Sequence, residues 1–380
     1  MDGTDSSWVL IDRPDALLQM VEVLRAHRAV AVDTESNSFY AYYHRICLIQ
    51  LSVPGTDYIV DPLAGLDLSP LGEIFADSRI QKVFHAAEQD IAGLWEDFGF
   101  RVTNLFDTMK AARILGWPHA GLADLLWEHF GVRTDKRYQR YNWGQRPLSP
   151  EALRYAALDT HYLIPLRDRQ MEELRRAGRL EQAAEAFARL AQARACRTPF
   201  GPEAFWRIRS VHTLTPAERA ILWRLYLWRD EIARERDIPP FRVVTNEVLV
   251  ALARSRPRTL EELIAQGFPR SMAQRYGRIV LDLIWRGKDV PPVPGVCLTD
   301  RDVAARYNAL RAWRRRVAEQ RGADPDTILP RSVLWTLAER NPTTWADLEA
   351  IPELGAWERE AWGPEILAVL RDLAEVASDS

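Results

Sequence analysis

The stretch AVAVDTE, at residues 29–35, joins four apolar residues to an acidic pair. A short, continuous apolar run predicts a strand that is buried on both faces. Because side chains alternate along a strand, Asp33 and Glu35 share one face and Thr34 points to the other. The pair stands where the apolar strand stops, so its carboxylates can meet a ligand. A solvated strand end would have the same pattern.

Further apolar runs predict the rest of a sheet. They lie at residues 46–53, 58–60, 80–84 and 105–107, with a shorter run at 8–11. Helical spacing follows Pro14 and recurs from about Gln89. Strands that first form a meander and then alternate with helices indicate a mixed sheet covered by helices, so this half of the chain is α/β.

Three more residues extend the acidic pair. Asp90 follows the run at 80–84 and, taken alone, fits an acid that interacts with a helix dipole. The dipeptide Ser-Pro at 149–150 predicts a helix start, with serine as the cap and proline in the first turn. In that helix Tyr155 and Asp159 share one face, a spacing that a packing tyrosine would also have.

Four carboxylates without a histidine or cysteine cluster form a set of hard oxygen ligands, which favours Mg²⁺ or Mn²⁺ over zinc. Two such ions about 3.5–4 Å apart can stabilise both the attacking and the leaving oxygen of a phosphodiester displacement. Asp33 is the natural bridging ligand because Glu35 stands beside it at the strand end. A tyrosine hydroxyl can orient the attacking water, but with a pKa of about 10 it is a poor base, so the metal must activate the water.

Composition limits the class of protein. The 380 residues are 47% hydrophobic and 27% charged, an ordinary globular mixture that excludes a largely disordered or collagen-like chain. No apolar run approaches the ~20 residues that cross a bilayer, and residues 1–7 lack the features of a secretory signal. Cys47, Cys196 and Cys297 form neither a disulfide framework nor a zinc spacing. We therefore expect a cytoplasmic protein with no membrane partner.

Charge is distributed unevenly along the chain, whose net charge is −3. Residues 1–196 carry −5, residues 197–290 carry +6 and residues 291–380 carry −4. Arginine, which suits phosphate recognition, supplies 46 of the 50 basic residues, although genome composition can also favour it. The basic middle segment indicates a polyanionic partner, and a merely solvated surface stays open as the alternative.

The C-terminal half repeats itself at a shift of 84–85 residues. The matches keep register and include Leu214 with Leu298, Trp228 with Trp313, Arg236 with Arg321, Pro240 with Pro325, Leu249 with Leu334 and Pro257 with Pro342. Such register indicates duplication of a compact module, and short amphipathic helices separated by prolines predict a small bundle in each copy, with its repeated tryptophan in the core. The proline-rich residues 288–295 predict an extended linker, and we place the earlier boundary at 197–202.

Taken together, these motifs resemble the ribonuclease D family, within the DEDD superfamily of 3′→5′ exonucleases. The resemblance covers about residues 8–195 and rests on Val32–Glu35, His85–Asp90 and Tyr155–Asp159, whose Tyr-x-x-x-Asp pattern marks the tyrosine subgroup. Residues 47–51, 106–108 and 143–148 add supporting matches. The duplicated module resembles the HRDC domain, which follows the exonuclease domain in this family.

The resemblance implies a fold and a division into domains. The expected fold class is α/β plus all-α: a ribonuclease H-like mixed-sheet exonuclease domain followed by two small helical HRDC-like bundles. The expected domains are residues 1–197, 208–288 and 296–376.

The resemblance also implies a reaction. Asp33, Glu35, Asp90 and Asp159 would hold two divalent cations, Mg or Mn, and Tyr155 would position the water. The implied reaction is stepwise hydrolysis from RNA 3′ ends that releases nucleoside 5′-monophosphates, without an organic cofactor. The implied substrates are tRNA precursors, in tRNA 3′ maturation, and other structured RNAs with 3′ extensions.

Candidate RNA contacts surround the predicted site. They are Ser36, Phe39, Tyr40, Trp143 and Arg146. Stacking of an aromatic ring on a terminal base contributes about 1–3 kcal/mol, and we favour it for Phe39 or Tyr40. We favour core packing for Tyr42 or Tyr43, since alternating aromatic residues can pack into the sheet. For Trp143 and Arg146, a role in anchoring their own loop is an equal alternative.

Other functions stay open at this point. A DNA 3′→5′ exonuclease would use the same acids, and HRDC modules also occur in DNA helicases. An RNA-binding scaffold with an inactive site would have no need for all five site residues. An acidic cluster without metal would repel itself. We expect the basic first module to hold the body of the RNA. For the acidic second module we expect a role in packing or in binding a partner.

Overall fold

The computed structural model describes residues 8–192, 202–285 and 301–378. Contacts within the chain divide it into two compact units. The first unit contains residues 8–35, 46–192 and 301–378, and the second contains residues 36–45 and 202–285. The predicted linker at 288–295 and nearly all of the predicted boundary at 197–202 lie outside the described residues.

The first unit contains a sheet domain, residues 8–35 and 46–192, built on six strands. The strands are β1 (Trp8–Ile11), β2 (Ala29–Ser36), β3 (Ile46–Val53), β4 (Thr56–Val60), β5 (Gln81–Phe84) and β6 (Leu105–Asp107). Their order is β1-β4-β3-β2-β5-β6. β1 pairs with β4, β2 with β5 and β5 with β6 in parallel, whereas β3 and β4 form an antiparallel hairpin. Both senses of pairing confirm the predicted mixed sheet.

Eight helices accompany the sheet. They are α1 (Pro14–Arg25), α2 (Ser69–Ala76), α3 (Glu88–Phe98), α4 (Thr108–Leu115), α5 (Leu122–Phe130), α6 (Pro150–His161), α7 (Leu163–Arg176) and α8 (Leu180–Leu190). Ser149 caps α6 as the sequence predicts, its hydroxyl accepting from the Ala152 N–H at 3.2 Å. A cap of this kind stabilises a helix by about 0.5–2 kcal/mol and fixes the residue at which it begins.

The second unit contains the first helical module, residues 202–285. Its helices are α9 (Pro202–Trp206), α10 (Pro216–Glu235), α11 (Pro240–Val243), α12 (Asn246–Ser255), α13 (Leu260–Ala265) and α14 (Arg270–Trp285). Thr215 and Glu218 form a reciprocal capping box at the start of α10. Trp228 packs in the core at 6% exposed, as predicted.

The second helical module, residues 301–378, belongs to the first unit with the sheet domain. Its helices are α15 (Arg301–Arg321), α16 (Pro325–Ile328), α17 (Arg331–Arg340), α18 (Trp345–Glu349) and α19 (Ala356–Ser378). Trp313 is again buried, at 1% exposed. The two bundles after the sheet domain confirm the predicted fold class.

The second module packs directly against the sheet domain. Arg189 of α8 forms an ion pair with Glu358 at 2.5 Å, and Glu358 is only 6% exposed. The Gln182 side chain donates to the Thr327 carbonyl at 2.9 Å. Buried polar contacts of this kind indicate a packed interface, in keeping with the packing role expected for the acidic module. Within the described ranges, no helix combines the length and the hydropathy that a membrane span requires.

Candidate active site

β2 and α6 bring three of the predicted acids together. The strand is completely buried at Val30, Ala31 and Val32, and it becomes half-buried where the acidic residues begin. Carboxylate oxygens of Asp33 and Glu35 on β2 and of Asp159 on α6 all lie within 4.8 Å of one another. The change from apolar to acidic sequence within one strand therefore carries two carboxylates from the core to its rim, where α6 supplies the third.

Asp90, in the first turn of α3, lies beside this group. Its carboxylate accepts a hydrogen bond from the Thr34 hydroxyl at 2.5 Å. Its charge also raises the pKa of both Asp33 and Glu35, so it stands within electrostatic reach of them. Sequence reasoning assigned Thr34 to the opposite face of the strand and gave it no role. The structure makes it the residue that holds Asp90.

The four carboxyls share an electrostatic state that a cation would relieve. Burial, followed by the charges of the other acids, raises the pKa of Asp33 and of Glu35 well above the usual values. Burial raises the pKa of Asp90 and of Asp159 to about 7, against hydrogen bonds from Thr34 and Tyr155 that lower it. Several carboxylates this close repel one another unless protons or cations neutralise them.

Tyr155 stands one helical turn before Asp159, and its hydroxyl donates to the Asp159 carboxylate. Burial and the nearby acids raise its pKa, so the phenol stays protonated. Its ring packs between Tyr138, at 5.2 Å between centroids, and Trp143, at 6.3 Å. Tyr138 is a supporting residue that the sequence did not reveal, because its contact with Tyr155 forms only in the folded chain.

Trp143 and Arg146 require a correction, because both hold their own loop. Trp143 is 1% exposed and cannot reach a ligand. The Arg146 guanidinium forms an ion pair with Asp61 at 2.7 Å and donates to the carbonyls of Trp143 and Cys47 at 2.8 and 2.9 Å. These contacts already use the donors that a phosphate would need, so the predicted RNA contacts at the two residues are wrong and the anchoring alternative applies.

Ser36, Phe39 and Tyr40 belong to the second unit, which also contains the first helical module. The Ser36 hydroxyl bonds to that of Ser38 at 3.2 Å. Phe39 is 44% exposed, and the Arg242 guanidinium lies 4.3 Å from the Tyr40 ring centroid. These three residues stay predicted RNA contacts.

Of the two tyrosines for which core packing was expected, Tyr42 packs in a core and Tyr43 does not. Tyr42 is buried, but in the core of the helical module, where its hydroxyl donates to Asp230 at 2.8 Å. Tyr43 is 62% exposed. The period of two that the sequence pattern assumed does not apply, because the described segment 37–45 forms no strand.

Asp107 is a further supporting residue, signalled in the sequence only by the motif at 106–108. Its buried carboxylate accepts from the backbone N–H of Ala87 and of Lys110, each at 2.7 Å. Ala86, next to this contact, has a φ of 60°. An alanine rarely adopts this conformation, so Asp107 stabilises a strained turn that leads directly into α3 and Asp90.

Comparison with known proteins shows which family this chain resembles. Residues 8–175 match the family described as 3′-5′ exonuclease, and residues 218–284 and 303–370 each match the HRDC domain. The chain is 30% identical over 378 residues to ribonuclease D of Cronobacter turicensis, covering 96% of this chain and 100% of that protein. It is 36% identical over 268 residues to the exosome complex exonuclease RRP6 of Saccharomyces cerevisiae, covering 67% of this chain. It spans only 37% of that longer relative.

A solved structure gives the same result. The crystal structure of Escherichia coli RNase D, described as an exoribonuclease involved in structured RNA processing, superposes with a TM-score of 0.71 at 28% identity. The superposition covers 96% of this chain and 99% of that one. The similarity to ribonuclease D thus covers nearly the whole chain, in sequence and in structure, and is not limited to one shared domain. The chain therefore belongs to the ribonuclease D family of 3′→5′ exoribonucleases, which are hydrolases.

Proposed function

We propose that this protein shortens RNA from its 3′ end one nucleotide at a time, releasing nucleoside 5′-monophosphates, with two divalent cations held by Asp33, Glu35, Asp90 and Asp159. The observation that carries the proposal is the convergence of three carboxylates within 4.8 Å at the rim of β2. The printed descriptions of the similar proteins, ribonuclease D and an exoribonuclease, support RNA as the substrate.

The residues fit hard divalent cations. All the donors are carboxylate oxygens, which Mg²⁺ and Mn²⁺ prefer, and their raised pKa values reflect a repulsion that positive charge would cancel. When bound, such a pair of ions supplies a water nucleophile at neutral pH and stabilises the charge on the leaving oxygen. Binding of the ions also stabilises the folded chain, since the unfolded chain has no such site.

The chain's own groups orient the reactants. Tyr155 positions the attacking water through its hydroxyl and does not act as a base, because its raised pKa keeps the proton in place. Tyr138 and Trp143 fix the plane of the Tyr155 ring. Thr34 fixes Asp90, which removes one freely rotating carboxylate from the site. Such positioning has a large effect, since a misplacement of about 1 Å can cost about 100-fold in rate.

The physiological substrate forms a further part of the proposal. We assign tRNA precursors and other structured RNAs with 3′ extensions, in the cytoplasm. The net charge of +6 on residues 197–290 supports a role for the first helical module in holding the RNA body, because phosphate contacts need clustered positive charge. Phe39 and Tyr40 are the proposed stacking residues for the 3′-terminal bases.

The test is a nuclease assay on a 3′-extended tRNA precursor with Mg²⁺, with Mn²⁺ and with a chelator. We expect a ladder of stepwise shorter products and free mononucleotides, abolished by the chelator and by a blocked 3′ end. Asp33→Asn should lower kcat by at least about 100-fold, and Tyr155→Phe should lower kcat by about 100-fold with little change in KM. Asp168→Asn, which changes an acid 64% exposed on α7, is the matched control and should retain full activity.

Two further arms separate the alternatives. A DNA strand of the same sequence should be shortened far more slowly than the RNA; equal rates would favour a DNA exonuclease. A thermal melt should show a higher midpoint with Mg²⁺ for the unchanged protein and for Asp168→Asn, but not for Asp33→Asn. RNA binding without hydrolysis under any metal, together with no shift in the melt, would contradict the proposal and favour a scaffold.

A further inference from the structure

A cleft of about 410 Å³ lies between the sheet domain and the second helical module, inside the first unit. The turn at residues 86–88, helices α4 and α8, and the start of α17 form its walls. None of Asp33, Glu35, Tyr155 or Asp159 lines it. The cleft is therefore separate from the acidic site, although its wall at residues 86–88 leads directly into Asp90.

Three basic side chains line this cleft: Lys110, Arg113 and Arg189. Arg189 is neutralised by Glu358 at 2.5 Å. Arg113 has no hydrogen-bond or ion-pair partner for its side chain among the residues that the structure describes. The Lys110 ammonium has one long hydrogen bond, to the Asp326 carbonyl at 3.3 Å. Two positive charges thus stand in the cleft without a carboxylate partner.

The acids near these cations do not cancel them. The buried Asp107 carboxylate already accepts backbone hydrogen bonds from Ala87 and Lys110. Glu88 is exposed to solvent, where its charge is screened. Burial lowers the pKa of Lys110; of the charges around it, Asp326 raises that pKa, whereas the neighbouring cations Arg113 and Arg189 lower it. The Asp326 carboxylate is itself paired with Arg314 at 2.7 Å. An anion in the cleft would relieve this repulsion.

The remaining walls are apolar. Met109 of α4, Ala186 and Leu190 of α8, and Pro330 before α17 provide them. The volume lies within the range of about 300–1,000 Å³ that small-molecule sites occupy. A nucleotide combines an anionic phosphate with an apolar base. Its phosphate could therefore contact the cations while its base contacts the apolar wall.

We propose that this cleft is a second nucleotide site, in which Lys110 and Arg113 bind the phosphate and the wall formed by Met109, Leu190 and Pro330 receives the base. The ligand has two possible sources with the same chemistry: a free nucleoside 5′-monophosphate or one nucleotide of a bound strand. The proposal does not depend on the two-cation mechanism, because the cleft contains none of the carboxylates that would hold the ions.

The test measures binding of 5′-AMP to the full chain by calorimetry, in chelator and in the Asp33→Asn background. These conditions suppress hydrolysis and weaken nucleotide binding at the acidic site. We expect Arg113→Gln and Lys110→Gln each to weaken the binding of 5′-AMP at least about 5-fold, because each substitution removes a charge-assisted hydrogen bond to the phosphate. Arg113→Lys should recover part of the affinity. Arg176→Gln, which changes an exposed arginine on α7, should have no effect. Adenosine, without the phosphate, should bind at least about 10-fold more weakly than 5′-AMP.

A short single-stranded RNA without a terminal phosphate separates the two sources. If Arg113→Gln weakens the strand while 5′-AMP does not bind, the ligand is a nucleotide of the substrate strand. If 5′-AMP binds and Arg113→Gln leaves the affinity for the strand unchanged, the ligand is the free mononucleotide. The proposal would be overturned if neither Arg113→Gln nor Lys110→Gln changed the affinity for either ligand, with unchanged melting temperatures.

Discussion

The two helical modules have interiors that agree and contacts that differ. Trp228 and Trp313 are both buried, at 6% and 1% exposed. Arg229 and Arg314, 85 positions apart, each donate to a backbone carbonyl within their own module, at 2.9 and 2.7 Å. The duplicated sequence has therefore kept the residues that build the bundle, because packing and buried hydrogen bonds tolerate few replacements.

The difference lies on one face of the bundle. Asp237 of the first module and Gly322 of the second are equivalent, and both have a positive φ, 47° and 57°. The Asp237 carboxylate accepts from the backbone N–H of Tyr42 and of Tyr43, at 3.0 Å each. Gly322 instead stands so close to Gly116 that a Cβ added to Gly116 would overlap the Gly322 carbonyl oxygen. The same face thus docks by side-chain charge in one copy and by close backbone approach in the other.

A second pair of equivalent positions also contacts different partners in the two modules. Arg242 of the first module lies over the ring of Tyr40, whereas Thr327 of the second offers its backbone carbonyl to Gln182. Each copy uses this face inside its own unit, with a different partner and a different chemistry. A duplicated module can therefore keep one docking face while the residues on that face change freely, since they are not part of the bundle core.

The largest expected effect comes from breaking the close approach of the second module. Gly116→Ala should lower the free energy of unfolding by about 2–4 kcal/mol, because it adds a backbone overlap to the strain of a left-handed residue. Gly131→Ala is the matched control: Gly131 also ends a helix, with a φ of 69°, and nothing lies within 4 Å of an added Cβ. It should cost about 1–2 kcal/mol, the strain alone. Urea denaturation measures both, and equal losses would show that the second module does not press on Gly116.

Removing the hydroxyl that fastens residues 36–45 to the first module should have the next largest effect. Tyr42→Phe deprives the buried Asp230 carboxylate of a donor at 2.8 Å, which we expect to cost about 1–3 kcal/mol. Tyr43→Phe, at a ring that is 62% exposed, should change stability by less than about 0.5 kcal/mol. Identical urea midpoints for the two variants would contradict this account of the contact.

These two contacts mark the limit of what the sequence predicts. The strand at 29–36, the Ser149 cap and the helix that carries Tyr155 follow from local patterns: apolar runs, a capping residue and a proline. The repeat likewise predicts two bundles and buried tryptophans. No local pattern, however, says which residues meet across a docking face, because their partners lie far away in sequence, as Tyr42 does from Asp230.

The candidate site shows the same division. The acids on β2 and α6 could be predicted to share a site, since each has a definite place on a strand or helix. The roles of Thr34, Tyr138 and Asp107 could not, because each supports a neighbour through a contact made only in the folded chain. The sequence could not decide between an RNA contact and a loop anchor for Trp143 and Arg146. An aromatic residue and an arginine near a nucleic-acid site fit either role, and only the burial and the contacts of the folded chain identify an anchor.

The charge difference between the modules predicts a smaller effect. Arg270→Gln combined with Arg278→Gln removes two exposed arginines from α14 of the first module, and Arg311→Gln with Arg316→Gln removes two from α15 of the second. If the first module holds RNA, its double variant should lower the slope of log affinity against log salt by about 1.4–1.8, at about 0.7–0.9 per phosphate contact. The second pair should leave the slope unchanged. Equal changes in filter-binding titrations would contradict the assignment of RNA binding to the first module.

The smallest expected effect concerns the pH dependence of the second module's docking. Glu358, buried at the contact with α8, has its pKa raised by burial, against Arg189, which lowers it. Its counterpart in the first module is the apolar Ala273. Since the folded pKa lies above the unfolded value of about 4.3, the folded state binds the proton more tightly. This contribution to stability is present below pH 4.3 and is lost as the pH rises through the folded pKa.

Glu358→Gln should remove that pH dependence, because an amide keeps a hydrogen-bond acceptor for Arg189 and does not titrate in this range. Urea denaturation at a series of pH values measures the free energy of unfolding of both proteins. The advantage of the unchanged protein over Glu358→Gln should be largest at low pH and should decline toward neutrality. Glu360→Gln, at an exposed residue of the same helix, should give a flat difference. If the stability advantage of the unchanged protein over Glu358→Gln instead grows with pH, the ion pair with Arg189 outweighs the cost of burying the charge. The second module would then differ from the first by an ion pair that strengthens its docking at neutral pH.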